Sequence, residues 1–91
     1  MEPITNYIKT HSKGKNQPIL GSHIAKALGI TGVNVRKQVN DARSCGDPIC
    51  SSSRGYYIAA NKDELNDTIE SMLGRIEGIS RAVEGLRQCS L

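Results

Sequence analysis

Thiols and imidazoles are the side chains best able to hold a metal or attack an electrophile, and this 91-residue chain has three of the first and two of the second. Cys45, Cys50 and Cys89 include no Cys-x2-Cys pair, and together with His11 and His23 they make no zinc-ligand spacing, so no metal site is expected. Their odd number fits no disulfide scaffold; reduced thiols are the simplest state, although a bond from Cys45 to Cys50 across a turn is conceivable. Neither histidine is accompanied by the nucleophile and carboxylate that would complete a catalytic group. Ser51-Ser52-Ser53 has no oxyanion or phosphate-loop signature. The expectation is a protein without a cofactor that is not an enzyme.

Chemistry of another kind is concentrated between residues 31 and 44. With Val35, Val39 and Ala42 inward on a helix at i, i+4 and i+7, Val33, Lys37, Asn40 and Ser44 point most directly outward, flanked by Asn34, Arg36 and Asp41. Arg36 and Lys37 can reach phosphates or guanine edges, Asn34 and Asn40 can pair bidentately with adenine, and Val33 can touch a thymine methyl. Thr31 and the amides at the helix start can hold a phosphate. A second polar group, Ser51-Ser52-Ser53-Arg54, is small and singly basic. It suits a nucleic-acid backbone or a narrow minor groove, contacted through Ser52, Ser53 and Arg54. Lys9, Lys13, Lys15 and Lys26 fit phosphate contact or solubility better than sequence reading. The plainer alternatives are a solvated helix face and an ordinary hairpin loop.

The charge distribution points the same way. Residues 1–55 hold eight Lys/Arg against three acids, and residues 56–91 hold four against six, so the overall +3 divides into a front of +5 and a back of −2. A basic front attracts a polyanion more strongly than the same charge spread evenly. The start, Met1-Glu2-Pro3-Ile4-Thr5, has neither a basic nor an apolar leader region, and no apolar run is long enough to span a membrane. A cytoplasmic setting is expected.

Several short elements must position these groups. Pro3 opens a helix with Ile4, Tyr7 and Ile8 on one face. Lys13-Gly14-Lys15-Asn16-Gln17 breaks it, and Pro18-Ile19-Leu20 reads as a brief strand. Ser22 is expected to cap a second helix carrying Ile24, Ala25 and Leu28 inward, ended by Gly29 in left-handed geometry. Thr31 caps the third helix, which ends near Gly46-Asp47-Pro48. Ile49-Cys50 and Tyr56-Tyr57-Ile58 form a hairpin around the polar loop, with Ile49, Tyr56 and Ile58 on its buried side.

Asn61, with Glu64 three residues on, begins a long last helix in the pattern of a capping box. Leu65, Ile69, Met72, Ile76, Ile79, Val83 and Leu86 are spaced 4, 3, 4, 3, 4, 3, the alternation of a coiled-coil seam. With Ile69, Ile76 and Val83 at the a positions, a parallel dimer is favoured and antiparallel pairing stays open. Gly74, Gly78 and Gly85 each cost about 1 kcal/mol against alanine in a helix interior, so the helix requires packing to persist. Residues 65–73 can fold back on the body. The helix spans roughly 40 Å, longer than a 60-residue body covers, so its far end pairs with another chain or stands exposed. Hydrophobic residues make up 37% of the chain and aromatics 3%, a thin core for a lone monomer. Homodimerisation through Ile69, Met72, Ile76, Ile79, Val83 and Leu86 is expected.

The ordered residues Ile24-Ala25, Leu28-Gly29-Ile30-Thr31, Val35, Lys37, Val39, Arg43, Gly46, Pro48-Ile49, Ser51 and Arg54-Gly55-Tyr56 resemble the helix-turn-helix domain of biotin repressors. The likeness covers about residues 4–60. It departs at Ala42, where such domains usually have leucine, and at Gly32 in the first turn of the third helix. It extends to the DNA-binding module alone, so biotin chemistry is not implied.

The expected architecture is therefore α+β and mainly α. A winged helix-turn-helix DNA-binding domain at 1–60, a three-helix bundle with a small β-hairpin wing, is followed by a coiled-coil dimerisation helix at 61–91. Helix 31–44 would lie in the major groove of double-stranded DNA, and wing 49–58 on the backbone or in the minor groove. The expected function is a small dimeric transcriptional regulator of the compact kind used by bacteria and phages. The alternative is a winged-helix protein-interaction or assembly module that oligomerises through the same last helix.

Overall fold

Element order in the computed structural model, which describes residues 2–90, is α1 (Pro3–His11), α2 (Gly21–Leu28), α3 (Gly32–Ser44), β1 (Ile49–Ser52), β2 (Gly55–Ile58) and α4 (Lys62–Arg87). The protein is mainly helical with one small antiparallel hairpin and a long C-terminal helix, as the α+β expectation requires. No helix among the described residues is long and apolar enough to cross a membrane.

The core is aliphatic. Ile4 and Ile8 of α1, Ile24 of α2, and Val35, Val39 and Ala42 of α3 are buried together with Ile19 and Ile49. Each fully buried Ile or Val contributes about 1.5 to 3 kcal/mol, so these few side chains hold three short helices together. A polar clamp reinforces them. The Thr5 hydroxyl donates to Asp47 Oδ2 at 2.6 Å, and the backbone N–H of Glu2 donates to the same oxygen at 3.3 Å. This fastens the start of α1 to the turn after α3, and the Thr5 bond holds the Asp47 carboxyl below its ordinary value.

The turn between α2 and α3 follows its sequence signals at Gly29 and Thr31. Gly29 adopts φ 66° and ψ 36°, a left-handed stop, and the Ile30 N–H reaches back to the Ala25 carbonyl at 3.0 Å. The Thr31 hydroxyl accepts the Asn34 N–H at 3.1 Å and caps α3. At its other end α2 departs from expectation. The Leu20 carbonyl accepts from the His23 and Ile24 amides at 3.0 and 3.2 Å, so the helix begins at Gly21 without a Ser22 side-chain cap. Leu28 is 36% exposed rather than inward, because it is the final residue of an eight-residue helix and lies beyond the core that Ile24 and Ala25 reach.

The hairpin pairs Ile49 with Ile58, Cys50 with Tyr57, Ser51 with Tyr56 and Ser52 with Gly55. Ile49, Tyr56 and Ile58 do pack on the core, but Tyr56 and Ile58 are only partly buried. Cys50 and Tyr57, on the opposite face, are buried more deeply than either because α4 covers that face. The expected Pro18-Ile19-Leu20 strand is a single bridge, in which Ile19 and Tyr56 exchange two backbone hydrogen bonds of 2.7 Å. Gly55 permits it. At φ 132° that residue has no Cβ to collide with the Ile19 carbonyl.

Asn61 caps α4 by accepting the Glu64 N–H at 2.9 Å. The reciprocal bond is displaced by one residue: Glu64 Oε1 accepts from the Ala60 amide at 3.0 Å instead of from Asn61, while Oε2 accepts from the Lys15 amide at 3.4 Å. Glu64 thereby joins the loop after α1 to the start of α4. Thr68 is buried against β1, where its hydroxyl accepts the Ser51 N–H at 3.4 Å. Leu65 and Met72 are half-buried, and every residue of α4 beyond Met72 is exposed.

Candidate nucleic-acid interface

The interface is built on α3, whose two sides have opposite chemistry. Burial of Val35, Val39 and Ala42 fixes the rotation of the helix and leaves Val33, Asn34, Arg36, Lys37, Asn40 and Asp41 exposed. Val33 is 65% exposed, an unusual placement for a β-branched apolar side chain and one that suits contact with an apolar base edge. Thr31 is exposed at the helix start, with its oxygen engaged by the Asn34 amide and its hydroxyl proton still able to donate.

The loop between β1 and β2 is shaped from within. Ser52 Oγ accepts the Arg54 N–H at 3.2 Å, a local turn that leaves Ser52, Ser53 and Arg54 exposed at the tip. Ser53 and Arg54 border a surface depression together with His23 of α2. The loop therefore stands beside the N-terminal end of α2.

Arg43 connects α3 to the hairpin. Its Nε donates to the Ile49 carbonyl at 2.8 Å and its guanidinium donates again to Ser51 Oγ at 3.1 Å. Burial lowers the Arg43 pKa from its usual value and the nearby Arg75 acts in the same direction, yet an arginine so placed stays charged at neutral pH.

Of the residues expected to meet DNA, Arg36 and Asn40 share one cleft with Ser51, between α3 and the hairpin. Ser53 and Arg54 lie at a different depression, so the structure does not gather the whole group into a single pocket. Two basic residues escaped the sequence reading of the site, Arg43 as the strut and Arg75 of α4, which lines the same cleft as Arg36. For Arg43 the available signal was its place seven residues after Arg36, on the same helical stripe. Arg75 carried no such signal, since only the path of α4 brings it near α3.

The seam residues divide by position. Leu65 and Met72 are half-buried against the body, where Leu65, Ile69 and Met72 share an apolar groove with Pro48 and Ile49. Ile76, Ile79 and Leu86 are 60%, 66% and 73% exposed, and Ile69 and Val83 are exposed as well. Leu73, not counted in the heptad seam, adds a further exposed apolar side chain. Cys45 and Cys89 are free and exposed, Cys50 is free and buried, and no group of three or more metal-ligating side chains occurs among the described residues.

No protein-family model, curated protein or solved structure matches the chain.

Proposed function

We propose that this chain is a homodimeric, sequence-specific double-stranded DNA-binding protein of the winged-helix kind, acting as a small transcriptional regulator. The observation that carries the reading is the outer face of α3, where Thr31, Val33, Asn34, Arg36, Lys37 and Asn40 stand free while the opposite face is locked into the core. That combination of bidentate amides, basic donors and one apolar contact is what reading a major groove requires. Ser52, Ser53 and Arg54 at the hairpin tip act as the wing, contributing backbone or minor-groove contacts. The exposed apolar stripe of α4 supplies the dimer, and with it a two-fold arrangement of recognition helices.

Selection of bound fragments from a random duplex library tests the reading. A recovered site with two related half-sites, their centres one helical turn of about 10 base pairs or a multiple of it apart, is the expected result. The apolar length of α4 favours one other reading, assembly through protein contacts alone. No enrichment of any duplex, with self-association retained, would establish that reading in place of DNA binding.

A further inference from the structure

Arg36, Asn40 and Arg43 fall at i, i+4 and i+7 along one stripe of α3, and the path of α4 places Arg75 across a narrow cleft from them. Ser51 and Tyr56 complete the wall around a volume of about 140 Å³. Three guanidinium groups border this cleft, and no carboxylate does. The ion pairs among the described residues join Lys15 to Asp67, Arg81 to Glu77 and Arg87 to Glu84, and none of them involves these arginines. Like charges brought together beside a partly buried surface repel one another, so the arrangement favours an anion between them.

The donors are suited to that task. Arg43 spends only two of its five N–H groups on the Ile49 carbonyl and Ser51 hydroxyl, and those bonds hold the guanidinium in place with the remainder unspent. A guanidinium fixed in this way meets the tetrahedral oxygens of a phosphate through paired hydrogen bonds. Asn40, Ser51 and Tyr56 add neutral donors. The cleft admits one small oxyanion and is too small for a base or a peptide segment.

We propose that Arg36, Arg43 and Arg75 together seat one phosphate group. On the DNA-binding reading given above, on which its source rests, this is a backbone phosphate of the duplex beside the groove read by α3. The dimerisation helix then contacts DNA itself, since Arg75 lies between the seam residues Met72 and Ile76. Pairing of two α4 helices orders the segment that carries it.

Arg75→Gln in the full chain tests the seat, because Arg75 is exposed and its replacement leaves the core untouched. With a selected duplex, the slope of log affinity against log salt should become shallower by about 0.9 for each seat lost, or nearly two per dimer. Arg87→Gln, at the far end of α4, should leave the slope as it was. In parallel, inorganic phosphate is titrated at constant ionic strength against the Nε–Hε resonances of Arg36, Arg43 and Arg75 in the wild type. Saturable shifts at these three, abolished by Arg75→Gln, are expected. Duplex binding whose slope is unchanged in Arg75→Gln overturns the seat and leaves the DNA reading intact. If the wild type binds no duplex, DNA is removed as the source and the phosphate titration decides alone: saturable shifts support the seat, and their absence overturns it.

Discussion

Arg43 Nε donates to the carbonyl oxygen of Ile49 at 2.8 Å, and this bond sets the angle between α3 and the hairpin. The same guanidinium reaches Ser51, so one side chain determines how far the loop carrying Ser53 and Arg54 stands from the exposed face of α3. Arg43→Ala should therefore destabilise the fold by about 1 to 2 kcal/mol, the value of a charged hydrogen-bonded strut at half-burial. Urea unfolding measures it. A change below about 0.3 kcal/mol would show that packing alone fixes the hairpin.

The neighbouring basic residues should behave differently. Arg36→Ala and Lys37→Ala lie outside the buried face of α3 and should leave helicity and stability within about 0.5 kcal/mol of wild type while weakening duplex binding. A base-reading contact costs about 1 to 3 kcal/mol at one base position, whereas a phosphate contact weakens all sequences alike. Arg54→Ala should make the salt slope shallower by about one. Binding measured across single-base variants of the selected site separates these cases, and loss of helicity in either α3 variant would contradict the assigned rotation of the helix.

Cys50 should be chemically silent in the native state. Burial pushes its thiol above the ordinary value, against the opposing effect of the Thr68 hydroxyl, so little thiolate is available. At mildly alkaline pH an alkylating reagent should modify Cys45 and Cys89 rapidly, and Cys50 only in denaturant. Mass spectrometry of the timed reaction distinguishes the three sites. Rapid native modification of Cys50 would mean that α4 does not cover the hairpin in solution.

Much of this fold was legible because local signals agreed with tertiary demand. Gly29 and Thr31 define the turn into α3 through backbone geometry and a single cap, and the period of Val35, Val39 and Ala42 gives its buried face directly. What escaped depended on contacts between distant segments. Cys50 and Tyr57 are buried by a helix that begins after the hairpin, so alternation within the strands shows only the face toward the core. Glu64 satisfies the amides of Ala60 and Lys15 because the loop after α1 passes close to the start of α4, which no local pattern records. Arg75 joins the α3 cleft for the same reason. Leu28 carried the right residue type for the core at a position one turn too late.

The seam makes its own prediction. Ile76 and Ile79 are exposed in the single chain, so replacing both by lysine costs the monomer almost nothing, while in a paired seam the unpartnered charges are strongly unfavourable. The wild type should sediment as a dimer at micromolar concentration and the Ile76→Lys/Ile79→Lys variant as a monomer. With the two half-sites held by separate molecules, apparent duplex affinity should fall by about 100-fold. A monomeric wild type, or a variant that still dimerises, would show that the exposed stripe of α4 is not the dimer contact.

Duplex affinity of the wild-type chain as a function of salt tests the central claim most directly, because it reads the contact between protein and phosphate backbone without requiring knowledge of the operator. Tight binding at low salt is predicted, with log affinity falling linearly against log salt at a slope of about −0.9 per phosphate contacted, several phosphates per dimer. No binding to any duplex at low salt, or an affinity indifferent to salt, would contradict it.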